Sequence, residues 1–199
     1  MSGLTVRRYR PGDGERVREL NRAAMAETPE WVPEAPDDDL RDVRGHYLDA
    51  GGEFLVGEVD DASGLSGLAD GADSTDGRPV ATGDIVATGA YEPLEGWMAE
   101  QFEARAGEGT DPEPGVAELS RVRVDPAVQG HGVGTEIVRE LERRARRSGV
   151  RAFALNTGVD NERARGFYES LGYSVVREAS VEFGDVTLDL ALYRRRLGD

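Results

Sequence analysis

The chain has 199 residues, with 39 acidic and 24 basic side chains for a formal net charge of −15, and every basic residue is arginine. Without lysine there is no Schiff-base enzyme and no lysine-bearing phosphate loop; without cysteine there is no thiol nucleophile, disulfide framework, Cys-ligated zinc or iron–sulfur cluster. His46 and His131, 85 positions apart, cannot supply a three-histidine metal site, so no metal is expected, and carboxylates, tyrosines, hydroxyls and backbone amides must carry the chemistry.

Residues 4–9 read as a strand, and Pro11, Gly12 and Asp13 form a turn and cap before a helix whose Val17, Leu20 and Ala24 share a face. After a break at Pro33 and Pro36, aspartates at 37, 38 and 39 precede Leu40, Val43 and Tyr47, which predicts a second helix to about residue 49. Strands are predicted over 54–59 and within 80–91. Residues 60–78 are mostly Gly, Ser, Ala and Asp with little periodicity, and 93–114 hold only a weakly amphipathic piece at 97–104. Flexible insertions are therefore expected near 60–79 and 93–115 of a single domain covering 1–199.

From Val116 the pattern sharpens. A strand over 116–124 closes at Asp125-Pro126, and a helix runs to about Ser148 with Val133, Ile137, Val138, Leu141 and Ala145 on one face and Gly149 as its C-cap. A strand over 152–156, a helix over 161–171, and strands over 173–181 and 186–193 follow, the last two joined as a hairpin at Gly184-Asp185. Strands alternating with helices and ending in a hairpin predict an α/β or α+β protein with a mixed sheet. No run of ~18 apolar residues occurs and the first residues lack a basic then apolar pattern, so a soluble, cytoplasmic protein is expected. The negative charge argues against nucleic-acid and anionic-membrane partners. It has two readings: a halophilic, salt-adapted surface, or an acidic pocket for a cationic substrate.

The order strand, then Gln129-Gly130-His131-Gly132-Val133-Gly134-Thr135, then amphipathic helix, aims several backbone N–H groups at one anion and suits a phosphate or pyrophosphate. A Rossmann dinucleotide site is disfavoured, because the run is not G-x-G-x-x-G and no acid occurs in Val150-Arg151-Ala152-Phe153 about 20 residues on.

The run from Val122 to Gly134 resembles the acetyl-CoA signature of the GNAT N-acetyltransferase superfamily: Gln or Arg, two residues, Gly, one residue, then Gly or Ala, here Gln129, Gly132 and Gly134. A second family feature resembles Asn161, Ala164, Phe167-Tyr168 and Gly172-Tyr173 in order and spacing, and the likeness covers roughly residues 116–181. It implies a GNAT-like fold, a central, mostly antiparallel sheet with a splayed parallel strand pair at the acetyl-CoA site, flanked by helices. It also implies an enzyme that acetylates a primary amine from acetyl-CoA, used as co-substrate, by direct attack through a tetrahedral intermediate. In that likeness backbone amides of Gly130, His131, Gly132, Val133, Gly134 and Thr135 surround the pyrophosphate. Val122, Arg123 and Val124 flank the pantetheine arm, and Asn161, with Ala164 and Phe167 on the same helix, contacts the cofactor. Tyr168, seven positions from Asn161 and so on the same helix face, is the candidate general acid for the departing thiolate. Glu118, of the same strand parity as Val122 and Val124, is the candidate base, because it stands eleven positions before Gln129 and the resemblance implies a glutamate base at that interval in some members; ordered water or a surface salt bridge are the alternatives for that role and position. His131 reads as a loop side chain beside the phosphates and His46 as structural.

The acceptor is expected to be a small-molecule or peptide amine, and no pattern identifies it. A protein N-terminal acetyltransferase, a transferase of longer acyl-CoA, and a catalytically silent CoA-binding sensor or scaffold are the competing readings; family members are often dimeric, which leaves a homodimer open. The charge is unevenly spread. Residues 121–170 carry 10 arginines and 7 acids, among them Arg139, Arg143, Arg144, Arg146, Arg147, Arg163 and Arg165 as candidates for CoA phosphates. Residues 26–118 carry 4 arginines and 24 acids, which suggests that a cationic acceptor approaches loops of that block.

Overall fold

The computed structural model describes residues 3–29, 31, 37–61, 79–106, 115–183 and 186–198. Two apolar runs, β2 (Glu53–Val59) and β3 (Ile85–Pro93), are buried along nearly their whole length, as strands covered on both faces must be. Period-two alternation divides β2 between the layers: Phe54 and Val56 pack with Val17, Leu40, Val43 and Tyr47, while Leu55 packs with Ile137, Val138 and Leu141. The first layer includes α1 (Gly14–Ala26); the second is α3 (Val133–Arg147), whose Val133, Ile137, Val138, Leu141 and Ala145 recur at helical spacing and are buried. Burying Ile137 and Leu141 completely contributes about 1.5–3 kcal/mol each, enough to hold α3 against the sheet.

The sheet has seven strands in the order β1-β2-β3-β4-β5-β7-β6, with β1 Leu4–Arg8, β4 Val116–Val124, β5 Ala152–Gly158, β6 Ser174–Phe183 and β7 Val186–Arg196. All neighbours pair antiparallel except β4 and β5, which run parallel. Two further helices, α2 (Gly96–Ala106) and α4 (Glu162–Ser170), complete the described α-helices, and α2 places Met98 against Ala154, Leu190 and Leu192. The mixed sheet and its parallel pair agree with the expected architecture. The final antiparallel pair extends to Phe183 opposite Val186, with Gly184 and Asp185 outside the described residues. Residues 62–78 and 107–114 of the two expected insertions also lie outside them, as do Pro33 and Pro36.

The second predicted helix is not a regular α-helix. The chain makes a single 3-10 turn at Asp38–Leu40 and a π turn at Arg44–Leu48. Polar side chains compete here with helical backbone bonding: Asp42 accepts from the N–H of Gly45, and Asp37 and Asp39 turn toward Arg121 on β4. Among the described residues no helix is long and apolar enough to cross a membrane.

Candidate active site

The parallel pairing of β4 and β5 is short. It joins Val116 to Ala152, Ala117 to Phe153 and Glu118 to Ala154, and then stops, although β4 continues to Val124 and β5 to Gly158. Beyond Glu118 and Ala154 the two strands diverge, and the opening between them belongs to a cavity of about 950 Å³. Val122, Arg123 and Val124 line one wall, and Asn156, Thr157 and Gly158 the other. Gln129, Gly130, Gly132, Val133, Gly134 and Thr135 close one end, and Asn161, Ala164, Phe167 and Tyr168 contribute from the start and face of α4.

The turn into α3 explains the glycines. Gly132 is the N-cap residue at φ 82, a left-handed conformation that a residue with a Cβ adopts only under strain, and it starts the helix with its first N–H groups at the cavity. Gly134 serves close approach instead: a Cβ there would stand 3.3 Å from the Phe167 ring and 3.4 Å from Val124 Cγ2, so its absence lets α4 and β4 meet the first turn of α3. Upstream, Asp125 is fully buried, accepts from the Ala127 N–H at 3.1 Å and pairs with Arg16 at 2.7 Å, which fixes the turn between β4 and the glycines. The Gln129 side chain donates to the Val124 carbonyl at 3.0 Å, so the signature glutamine ties the turn to the strand end. Asn161 caps α4, accepting from the Ala164 N–H at 3.0 Å. Tyr168 is buried among the rings of Phe167, Tyr173 and Tyr193, with centroids 5.1, 5.7 and 6.4 Å away, which restricts where its hydroxyl can point.

Glu118 does not share this cavity. Between Thr88 and Ala90 of β3 the register shifts, with one residue of β3 opposite two of β4, Arg121 and Val122. This β-bulge breaks the two-residue alternation. Ala117 and Leu119 lie in the core with α3, and Val122 and Val124 pack against that same core, so the parity expected to align Glu118 with Val122 and Val124 is reversed. Glu118 instead lines a second cavity of about 400 Å³ with Gly45, His46, Ala50, Glu92, Pro93 and Glu95. Burial, and then the neighbouring Glu92 charge, push its carboxyl up to about 7. Burial also raises Glu92, whose carboxylate stands 2.9 Å from His46 Nε2. His46 therefore belongs to a pocket wall, beyond the structural role expected of it.

His131 is exposed and points Nδ1 at the carbonyls of Val128 and Gln129, and it is not part of the larger cavity's lining. Of the seven arginines considered for phosphates, Arg163 lines that cavity. Arg143 and Arg144 pair with Glu140, Arg146 lies near Glu142, and Arg165 donates to Tyr193 and to the Val159 carbonyl. Sequence reasoning missed the end of α1 (Ala24, Met25), the turn after it (Glu27, Thr28, Pro29) and Leu188 and Leu190 of β7, which also line the cavity and carry no local motif. No group of three or more His, Asp or Glu among the described residues is arranged to hold a metal ion.

Residues 17–173 match the profile of the acetyltransferase (GNAT) family. An uncharacterized N-acetyltransferase of Methanocaldococcus jannaschii is 38% identical over 58 residues, which is 29% of this chain and 26% of that protein, so the match spans about a quarter of the relative's length. Among solved structures, yncA, a candidate acetyltransferase from Salmonella typhimurium solved with its cofactor acetyl-CoA, superposes with a TM-score of 0.67 at 21% identity, covering 99% of this chain and 95% of that one. An N-acetyltransferase from Staphylococcus aureus Mu50 gives 0.69 at 16% identity, covering 99% and 100%. At these identities the structures speak for the fold.

Proposed function

The chain belongs to the acetyltransferase (GNAT) family, and from that premise we propose that it transfers the acetyl group of acetyl-CoA to a primary amine held in the smaller cavity. The observation that carries this reading is the end of β4–β5 pairing at Glu118 and Ala154, beyond which the two strands part at the mouth of a cavity whose far end is the N-terminus of α3. The larger cavity suits an elongated substrate with an anionic end. Backbone N–H groups after Gly132, with the positive end of the helix dipole, would meet the pyrophosphate, and the edge of β4 at Val122 and Val124, where β5 has diverged, would meet the amides of the pantetheine arm.

The chemistry divides between the two cavities. An alkylammonium has a pKa near ~10.4, so the acceptor must lose a proton before it can attack. Glu118, raised to about 7 and facing the smaller cavity, takes that proton more readily than an ordinary carboxylate would. The amine nitrogen then bonds to the thioester carbon as the carbonyl electron pair moves onto oxygen, where backbone N–H groups on the open edge of β4 stabilise the charge. As the intermediate collapses the C–S bond breaks and the thiolate takes the hydroxyl proton of Tyr168; the attacking nitrogen gives its second proton to solvent, solvent reprotonates Tyr168, and Glu118 releases the first proton to solvent, so that one proton is released in all. Glu92, Glu95 and Glu118 around the smaller cavity favour an acceptor that is cationic beyond its reacting nitrogen.

The test is release of free thiol from acetyl-CoA with a panel of amines, with the mass of the acetylated product. Amine-dependent release is the expected result. Binding of CoA with no release from any amine overturns transfer and leaves a CoA-binding protein.

A further inference from the structure

Arg121 is the only non-glycine with positive φ among the described residues, at 53°, and it occupies the bulge of β4 between Ser120 and Val122. A residue with a Cβ resists that conformation, and bulges that need it usually recruit glycine. Here the side chain is anchored. Nε and Nη2 donate to the two carboxylate oxygens of Asp39 at 2.8 and 2.5 Å, and Nη1 donates to Asp37 at 2.8 Å. Nη1 also reaches Asn21 of α1 at 3.3 Å, and the Arg121 carbonyl accepts from the Thr88 hydroxyl at 2.8 Å. Forked pairing of this kind fixes direction as well as distance. It pins the bulge from outside β4, through carboxylates 82 and 84 positions away.

The bulge has two consequences for the site. It turns Val122 and Val124 toward the larger cavity while leaving Glu118 at the smaller one. It is also linked to the smaller cavity's wall, because Asp39 accepts from the Tyr47 hydroxyl at 2.6 Å and the Tyr47 ring lies 4.7 Å from that of His46.

We infer that Arg121, clamped by Asp37 and Asp39, is a positioning residue for acetyl transfer: it holds the β4 bulge in the left-handed conformation that presents Val122 and Val124 to the pantetheine arm. The inference rests on the acetyl-CoA reading above. It separates the arm from the phosphates, which are left to the glycine turn. Replacing Arg121 by methionine removes the clamp but keeps a Cβ, whereas glycine removes the clamp and accepts the conformation freely.

The experiment measures the affinity of wild type, Arg121→Met, Arg121→Gly and Asp39→Asn for acetyl-CoA and for the adenosine bisphosphate fragment of CoA, which lacks the arm, together with kcat and KM for thiol release. Arg121→Met should bind acetyl-CoA about tenfold more weakly, with KM rising in parallel, and bind the fragment as wild type does. Arg121→Gly should recover acetyl-CoA binding to within about threefold of wild type. Equal acetyl-CoA binding by wild type and Arg121→Met, or equal losses by the methionine and glycine variants, overturns the positioning role while acetyl transfer by wild type stands. If Arg121→Met does not fold, Arg121→Gly must still bind acetyl-CoA more tightly than Asp39→Asn, and the reverse order overturns the assignment. A wild-type protein that binds neither ligand and releases no thiol overturns the acetyl-CoA reading itself, and this inference with it.

Discussion

Glu118 and Tyr168 open onto different cavities, one on each side of the point where β4 and β5 part. In the proposed mechanism this gives the base and the acid each a separate substrate to face. Tyr168→Phe should therefore lower kcat by about a hundredfold with little change in KM for acetyl-CoA, because only the departing thiolate loses its proton donor. Glu118→Gln should lower kcat/KM for the amine and leave acetyl-CoA affinity unchanged. Steady-state kinetics with each substrate varied in turn distinguishes the two, and a normal kcat in Tyr168→Phe removes the acid assignment.

The raised carboxyl of Glu118 also predicts the acid limb of the pH profile. At pH below about 7 the group is mostly protonated and cannot accept a proton, so log kcat/KM should rise with pH and level off above about 7. In Glu118→Gln the limb near 7 should disappear. A limb of unchanged midpoint in that variant assigns the titration to another group.

The same shift has a sign for stability. Below the ordinary value of 4.5 Glu118 is protonated in folded and unfolded chains alike and makes no difference. As pH rises from there to about 7 the unfolded chain gives up the proton first, so the folded state loses stability relative to it, and above about 7 the full cost of at most about 3 kcal/mol persists. Glu118→Gln has no charge to bury. Its urea midpoint should match wild type near pH 4 and exceed it at pH 8; a midpoint below wild type at pH 8 contradicts the buried-charge account.

Gly132 and Gly134 should respond differently to substitution. Gly132→Ala forces a Cβ into the left-handed N-cap position, at a cost of roughly 1–2 kcal/mol, and should lower Tm by several degrees with open space around the new methyl group. Gly134→Val instead drives its side chain into Phe167 and Val124, so KM for acetyl-CoA should rise more than Tm falls. Thermal unfolding and acetyl-CoA titration of both variants check the contrast.

The most legible parts of the site were those that repeat locally. Apolar residues at helical spacing in α3, the glycines before it and the Asn161 to Tyr168 interval lie within single elements, and the structure brings them to one cavity. Glu118 was nominated from the family resemblance, and its facing was misread, because parity assumes an unbroken strand and no glycine of β4 marks the bulge at Arg121. The helix expected from the aspartates at 37–39 failed for a related reason: the carboxylates of Asp37 and Asp39 serve a guanidinium more than 80 positions away, a contact that no local pattern encodes. His46 and Glu92 meet in the same way, across 46 residues of chain.

The acidic smaller cavity bears on what the net charge of −15 is for. A salt-adapted surface predicts that added salt acts on stability alone. Carboxylates gathered at Glu92, Glu95 and Glu118 predict in addition a preference among acceptors, since a second ammonium on a diamine is attracted while the carboxylate of an amino acid is repelled. At low ionic strength kcat/KM should rank a diamine above a monoamine of equal length and both above an amino acid. The ratio should shrink as salt rises, because the screening length falls from about 10 Å at 0.1 M to about 3 Å at 1 M. Glu95→Gln, an exposed change at the rim, should narrow the same ratio with the fold intact. Far-ultraviolet circular dichroism at each salt concentration separates this kinetic effect from loss of structure. Equal kcat/KM for diamine and amino acid at low salt would leave the acid excess to solvation alone.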